Sequence, residues 1–291
     1  MKSLRVAVTG GSGRIGSQVV KQLVERGHKV LNLDRREATE PRARFIFVDL
    51  RQREQIQPIF ENVDAVAHLG EIPGIWGHTP EEVLSHNVTV GSVVLQTAAD
   101  LKIPRVIYTS TCQTYGFWTY PQVAPLRLPF DETHPLQPQN AYSLSKAVNE
   151  NFAQLVSKYQ GLSVAIFRFP AVYPWDKMAE DYNWAQLEKR TGKIDGFQTY
   201  VHVDDAARAY VLALENPRPG CEAYHFTADE VEILSPLRER LIRDHPHFPQ
   251  LPADWPPFKS PVSTAKALAH FGWAPTWNLL DVYRKKFGRA P

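Results

Sequence analysis

The sequence predicts an α/β protein with a doubly wound parallel sheet and a small C-terminal lobe, and three observations carry that prediction. A short apolar run (Leu4, Val6, Val8) breaks at Thr9 into a turn holding Gly10, Gly13 and Gly16, and an amphipathic segment with Ile15, Val19, Val20, Leu23 and Val24 begins at once. Short apolar runs then alternate with helical patterns as far as residue 170, as strand–helix–strand units with parallel pairing do. Beyond 170 the alternation loosens and Pro and aromatic residues accumulate.

The first element is therefore strand, tight turn, helix. Glycines in the turn permit positive φ and let the backbone approach a diphosphate, whose charge rests on N–H groups at the helix start. Such a trio also serves a plain structural turn, so the context matters. The second run, Lys29 to Leu33, ends at Asp34, 18 residues after Gly16. A carboxylate there can accept both ribose hydroxyls of an adenosine and repels a 2′-phosphate, which favours NAD over NADP and a Rossmann-type sheet. Arg35 and Arg36 temper that preference, because an Arg beside the ribose can hold a 2′-phosphate.

Arg44 to Val48 forms the third strand, ending in Asp49 and Leu50, and Gln52 to Phe60 a helix. Ala65 to Leu69 is the fourth strand, Pro80 to Leu101 a helix, and Val106 to Thr109 the fifth strand. Gly116 to Gln139, rich in Pro and aromatics, reads as an ordered loop over a site. A long helix from Asn140 to Lys158 precedes a sixth strand, Ser163 to Arg168. Phe169 to Gly196 reads as irregular, Tyr200 to Val203 as a short strand, Asp204 to Leu214 as a helix and Ala223 to Thr227 as a strand. Ser235 to Arg243 is helical, Pro246 to Pro261 a Pro-laden connection, and Thr264 to Phe271 the last helix. The expected organisation is a dinucleotide-binding domain over 1–170, to which 201–215 returns, and a substrate lobe made of 171–200 and 216–291.

Composition narrows the function classes. The 291 residues are 43% hydrophobic and 22% charged, and a net charge of +2 gives no reason to expect a nucleic acid or a membrane surface as partner. Two cysteines, Cys112 and Cys221, make no disulfide framework. The first strand follows the N-terminus without a secretory h-region and no apolar run approaches 18 residues, so a cytoplasmic protein is expected. None of the ten histidines pairs on a helix face, and no metal site is expected.

The chemistry lies at the start of the long helix, in Tyr142-Ser-Leu-Ser-Lys146. Spacing i, i+4 sets phenol and ammonium on one face, one turn apart. Bringing a tyrosine from a pKa near 10 to neutrality takes about 4 kcal/mol of differential stabilisation, which a neighbouring Lys and a positive nicotinamide ring would share. Such a Tyr takes the proton of a carbinol while hydride leaves its carbon. Thr109, Ser110 and Thr111 close the fifth strand, and the carboxyl ends of strands in this sheet type face the ligand crevice, so these hydroxyls and Tyr142 are expected to converge.

With T-G-G-S-G-R-I-G (Thr9 to Gly16), Asp34, Asp49-Leu50, His68-Leu69-Gly70, His86-Asn87-Val88, Ser110 to Gly116, Y-S-L-S-K, Arg168 to Pro174 and Y-V-H-V-D-D (Tyr200 to Asp205) in order, the chain resembles the extended short-chain dehydrogenase/reductases, the NAD-dependent epimerase/dehydratase family. The resemblance implies that Gly10, Gly13, Arg14, Ile15 and Gly16 hold the pyrophosphate, Asp34 with Arg35 the adenosine ribose, and Asp49 and Leu50 the adenine. It assigns Leu69, Gly70, Glu71 and Asn87 to the dinucleotide, and Phe169, Pro170 and Val172 to the back of the nicotinamide. Tyr142 is the implied general base or acid, Lys146 its partner on the nicotinamide ribose, and Thr111 the hydroxyl on the reacting oxygen. Homodimerisation through the helices at Pro80 to Leu101 and Asn140 to Lys158 is also implied.

Departures from the family pattern point to the substrate. Thr111-Cys112-Gln113 stands where the sugar-nucleotide dehydratases have T-D-E, which disfavours dehydration. Gln198-Thr199 stands where members acting on nucleotide-linked sugars have Arg-Asp, and the segment from Pro174 to Tyr200 is short for a nucleotide pocket. HLGEIPG and TCQTYG are similar to loops of the uronate dehydrogenases, which implies Pro73, Cys112 and Gln113 on the substrate side and Lys177 as a cation for a sugar carboxylate. The expected function is hydride transfer between a carbohydrate carbinol and NAD. An epimerase working through a transient ketone is the alternative, and a non-catalytic dinucleotide sensor the distant one.

Overall fold

The computed structural model describes residues 3–37, 40–118, 120, 122–174, 184, 194 and 196–288. Its centre is a parallel sheet of seven strands: β1 (Arg5–Thr9), β2 (Lys29–Asp34), β3 (Arg44–Phe47), β4 (Ala65–His68), β5 (Arg105–Thr111), β6 (Ser163–Phe169) and β9 (Cys221–His225), in the order β3-β2-β1-β4-β5-β6-β9. Successive strand residues face opposite sides. In β1, Val6 and Val8 join one core with Val19, Val20 and Leu23 of α1 (Arg14–Glu25), while Ala7 joins the other with Val90 and Val94 of α3 (Pro80–Asp100). Helix α4 (Ala141–Gln160) packs beside α3 and contributes Ala153 and Val156 to that second core, and a helix over Val203–Glu215 packs beside α1. Both faces are thus covered, which is why the strands read as nearly continuous apolar runs.

The chain winds outward from β1 through β2 to β3, then returns to place β4 on the other side of β1. Neighbouring strands diverge to opposite helix layers at that switch point, which opens a crevice beyond their carboxyl ends. The register puts Thr9 beside Leu33 and His68, and Thr111 beside Phe169, so these strand ends share one rim.

Three differences from the sequence reading stand out. Strands β5 and β6 run on to Thr111 and Phe169, paired to the last residue, so both side chains leave rigid backbone and not loops. The stretch expected to be irregular contains β7 (Ala171–Tyr173), which pairs in parallel with β8 (Tyr200–His202); three residues between Pro170 and Pro174 carry too little period to betray a strand. The last helix is Leu279–Phe287 and not Thr264 to Phe271, with Leu279, Leu280 and Tyr283 buried.

The boundary of the lobe also moves. Strand β9 pairs β6 as the seventh strand, so 221–225 belongs to the main sheet and not to the lobe expected over 216–291. Conversely, Phe117 and Phe130, inside the stretch expected to belong to the first domain, pack in one aromatic cluster with Phe197, Val231, Ile233 and Phe248. Aromatic residues of the loop found covering there that no short-range pattern announces.

Candidate active site

A cavity of about 1250 Å³ follows the rim from the glycine turn to Tyr142. It is larger than the ~300–1,000 Å³ typical of a small-ligand pocket, as room for a dinucleotide and a second reactant requires. Gly10 sits at φ +69°, and a Cβ there would come within 2.7 Å of Leu69 and Gly70 backbone atoms; a Cβ on Gly16 would meet the Gly10 carbonyl oxygen at 2.1 Å. Only glycine lets the β1 turn nest against the β4 turn. Gly13 caps α1 without a side-chain bond, and no acidic residue occupies the first turn. The helix start therefore offers backbone donors and a positive dipole end to an anion.

Asp34, at the tip of β2, accepts the Ser12 N–H at 2.9 Å on Oδ2 and the Arg35 and Arg36 N–H groups at 2.7 and 3.0 Å on Oδ1. It fixes both loops and keeps lone-pair capacity toward the cavity it lines. Asp49 is ion-paired with Arg51 at 2.6 Å, and that hydrogen bond holds its carboxyl at about 2. Arg14 and Ile15 line the same end, the Arg14 guanidinium 3.4 Å from the Val172 carbonyl across the cleft. These residues fit a bound dinucleotide at its adenosine and diphosphate half.

At the other end α4 begins with a reciprocal cap: Asn140 Oδ1 accepts the Ser143 N–H at 2.8 Å and Ser143 Oγ accepts the Asn140 N–H at 3.2 Å. The cap fixes Tyr142 in the first turn, and helical side chains lean toward the N-terminus, so its phenol projects to the rim. Thr111, on the same rim, favours the phenolate of Tyr142. Burial raises the proton affinity of Tyr142, Lys146 lowers it and Glu71 raises it again, and the balance lies above the usual tyrosine value. This differs from the depressed value that the Tyr–Lys spacing alone suggests, because the pair lies in a dry site beside a carboxylate.

Lys146 Nζ donates to the Thr109 carbonyl at 2.7 Å and stands 2.5 Å from Glu71 Oε2, which leaves a third donor for the cavity that Lys146 lines. Glu71 Oε1 lies 3.2 Å from His68 Nε2 and accepts from Asn149 Nδ2 at 3.1 Å. His68 Nδ1 stands 2.7 Å from Thr9 Oγ1, which also accepts the Leu69 and Gly70 N–H groups. A chain of polar contacts thus runs beneath the cleft from the glycine strand to the Tyr–Lys pair.

Most expected residues meet at this cavity. Gly10, Gly13, Arg14, Ile15, Gly16, Asp34, Arg35, Asp49, Leu50, Leu69, Gly70, Pro73, Thr111, Gln113, Tyr142, Lys146, Phe169, Pro170 and Val172 all line it. Glu71 also lines the cavity, and its carboxylate is paired with Lys146. Others do not behave as expected. Asn87 lies outside the lining; its amide brackets Ile72, accepting the N–H at 2.8 Å and donating to the carbonyl at 3.0 Å. Cys112 faces the aromatic cluster, its Sγ 3.4 Å from the Arg168 carbonyl, and burial pushes its thiol far up. Strand β5 ends at Thr111, and the tight helical turn Cys112–Tyr115 that follows carries the Cys112 side chain into the core.

The hydroxyl triplet also splits. Thr109 Oγ1 bonds the His68 carbonyl and the Tyr210 hydroxyl, and Ser110 donates to the buried Glu150, itself paired with Arg168 at 2.6 Å. Of the three, only Thr111 favours the phenolate of Tyr142. The sequence reading did not single out Arg51, which lines the cavity beside Trp76, His86 and Tyr173, or Asn149, which holds Glu71. Only Asn149 was recoverable, because Tyr142, Lys146 and Asn149 share one face at i, i+4, i+7. Lys177 lies outside the described residues.

Among the described residues, no group of three or more His, Cys, Asp or Glu could hold a metal, and no helix is long and apolar enough to cross a membrane.

Comparison with known proteins agrees with this architecture. A UDP-glucose 4-epimerase of Lacticaseibacillus casei is 28% identical over 320 residues, covering 96% of this chain and 94% of its own. The crystal structure of a UDP-glucose 4-epimerase of Thermotoga maritima with UDP-glucose superposes with a TM-score of 0.71 at 24% identity, covering 97% of this chain and 99% of that one. A short-chain dehydrogenase/reductase superfamily protein of Agrobacterium tumefaciens with bound NAD gives 0.73 at 18% identity, over 97% and 95% of the two chains. The sequence model of the NAD dependent epimerase/dehydratase family matches residues 6–227, about three quarters of the chain, and this protein belongs to that family.

Proposed function

We propose that this enzyme moves a hydride between a carbohydrate carbinol and NAD, with Tyr142 as proton acceptor and donor. The observation that carries the reading is that Tyr142, Lys146 and Thr111 line the same cavity as the glycine turn. Bound NAD supplies the hydride acceptor. Gly10, Gly13, Arg14, Ile15 and Gly16 hold its diphosphate, Asp34 its adenosine ribose, and Leu69, Phe169, Pro170 and Val172 its nicotinamide side. Thr111 donates a hydrogen bond to the substrate oxygen, and Tyr142 takes that oxygen's proton as hydride leaves the carbon. Lys146 binds the nicotinamide ribose with its remaining donor and favours the phenolate. In the reverse direction Tyr142 returns the proton.

Two outcomes of the first half-reaction are open to such a site. In a dehydrogenase the carbonyl product leaves, and NADH with it. In an epimerase the ketone turns over and is reduced on its other face while NAD stays bound. Gln198 and Thr199, which stand where members acting on nucleotide-linked sugars have Arg-Asp, bring no cation for a diphosphate, which supports a small substrate without a diphosphate of its own. The likeness to UDP-glucose 4-epimerases supports the second outcome. Incubation with NAD and a panel of free aldoses, sugar acids and UDP-sugars separates them. NADH appearing with a free sugar or sugar acid establishes the dehydrogenase; co-purified NAD with interconversion of UDP-sugar epimers and no net NADH establishes the epimerase. Binding of NAD with neither reaction would leave the dinucleotide sensor.

The functional division follows the corrected fold: a dinucleotide-binding body of the main sheet and its helices, and a substrate lobe built on the aromatic cluster. We propose further that two copies associate through α4, where Leu144, Val148, Leu155 and Tyr159 are exposed on one side. The reduced thiols Cys112 and Cys221 suit a cytoplasmic setting.

A further inference from the structure

Hydride transfer by a Tyr–Lys pair has no need of a carboxylate under the lysine, yet one is built in. The Glu71 side chain is 2% exposed, and each oxygen has partners from separate elements. His68 at the end of β4 and Asn149 on α4 face Oε1; Lys146 on α4 and the Tyr108 hydroxyl on β5, at 3.3 Å, face Oε2. From α3, His86 senses the same carboxylate, and Gly91 makes room for it: a Cβ there would come within 2.8 Å of Glu71 Oε1 and 2.1 Å of Asn149 Nδ2. Lys146 and His68 hold the carboxyl below its usual range against the opposing effect of burial, so it is an anion.

We propose that Glu71 is a positioning residue that clamps the Lys146 ammonium and, as the counter-charge beside it, sets the pH at which Tyr142 gives up its proton. The clamp fixes two of the three Lys146 donors, on Glu71 and the Thr109 carbonyl, so the third has one direction left. The charge has a second effect. An isolated ammonium would pull the phenol strongly toward phenolate; a carboxylate 2.5 Å from that ammonium cancels much of its field. Thr111 also favours the phenolate and the nearby thiol of Cys112 opposes it, while the buried phenols of Tyr108 and Tyr210 interact electrostatically with Tyr142 as well. Tyr142 thus keeps its proton until a positive charge arrives nearby, and an oxidised nicotinamide ring is such a charge. A site of this kind releases the proton when it is loaded for oxidation and holds it when it is loaded for reduction.

The inference rests on Tyr142 as the proton acceptor, but its test reads the phenol directly. Ultraviolet difference titration of the cofactor-free protein against its Tyr142→Phe variant isolates the Tyr142 tyrosinate signal. In Glu71→Gln the midpoint is expected to fall by about one pH unit, a tenfold change in acidity. Glu71→Asp, which keeps the charge, is expected to stay near the wild type. Should the unpaired ammonium prevent Glu71→Gln from folding, the same substitution in Lys146→Met leaves no buried charge uncompensated, and its midpoint is expected to fall below that of Lys146→Met alone. A midpoint that is unmoved or raised by Glu71→Gln, or moved equally by Glu71→Asp, overturns the proposal. If the midpoints move as expected while Tyr142→Phe still turns over substrate, Glu71 acts as proposed and the assignment of the base fails. If Tyr142→Phe is inactive and Glu71→Gln leaves the midpoint in place, Glu71 fails alone.

Discussion

The two ends of the cleft are built by different means. At the adenosine end, charges are paired with their own sequence neighbours: Asp49 with Arg51, and Asp34 with the amides of Arg35 and Arg36. These groups are partly exposed. At the catalytic end, the principal polar partners come from far along the chain, the nearby His68–Glu71 contact aside: Glu71 meets Lys146 and Asn149, Thr9 meets His68, and Ser110 meets Glu150. Those groups are buried. Local pairing in water costs little and contributes little, whereas a buried charge without its partner is costly. The cofactor end should therefore tolerate change, and the catalytic end should not.

The sharpest test of that contrast is Tyr142→Phe, which removes one oxygen. Turnover is expected to fall by about 10³-fold, within the 10²–10⁴ range for a lost general acid–base, with NAD affinity changed less than about twofold. Steady-state rates beside NAD titration by fluorescence check both halves; retained turnover would break the mechanism. Next in size is Asp34→Ala at the opposite end. Loss of hydrogen bonds from the ribose to a charged acceptor is expected to weaken NAD binding about 10- to 100-fold while kcat at saturating NAD changes little. A fall in kcat would mean that the two ends are coupled.

Acid separates the ends in another way. His225 is buried against Tyr115 at 2.6 Å, and burial together with Arg168 holds it at about 3, down from 6.5. The unfolded chain therefore binds its proton first, so stability is full above about pH 6.5 and is lost as pH falls from there toward 3. Asp49, held at about 2, loses its contribution only as pH falls from the usual aspartate value of 3.8 through 2. Thermal unfolding from pH 7 to 4 is expected to show a falling midpoint that His225→Gln flattens; equal slopes would remove His225 as the cause. The smallest effect is expected from Arg51→Ala, whose pair with Asp49 is exposed to water and screened by it. NAD affinity and melting temperature should barely move, and a large loss of either would erase the contrast between the ends.

How much of this was legible depends on sequence separation. The glycine turn, Asp34 at the end of the second strand, and Tyr142 with Lys146 one helical turn apart are short-range patterns, and each was read from spacing. Strand β7 and the terminal helix Leu279–Phe287 were missed because the first is three residues long and the second owes its burial to Tyr200 and Trp184, distant in sequence. Cys112 read as a substrate residue together with Gln113, but the tight helical turn Cys112–Tyr115 after β5 buries it in the aromatic cluster. Asn87 read as a cofactor ligand, while its amide is consumed by the backbone of Ile72.

The sequence by itself determined the doubly wound sheet, the glycine turn and the one-turn spacing of Tyr142 and Lys146, because periodicity, glycine sterics and helical spacing are properties of adjacent residues. Only the tertiary structure decided what surrounds that pair. The proton affinity of Tyr142 depends on burial and on Glu71, and Glu71 reaches Lys146 only because β4 and α4 come together across a Gly91 that leaves room for it. Charge interactions act through distance and dielectric, and both are set by folding and not by order along the chain.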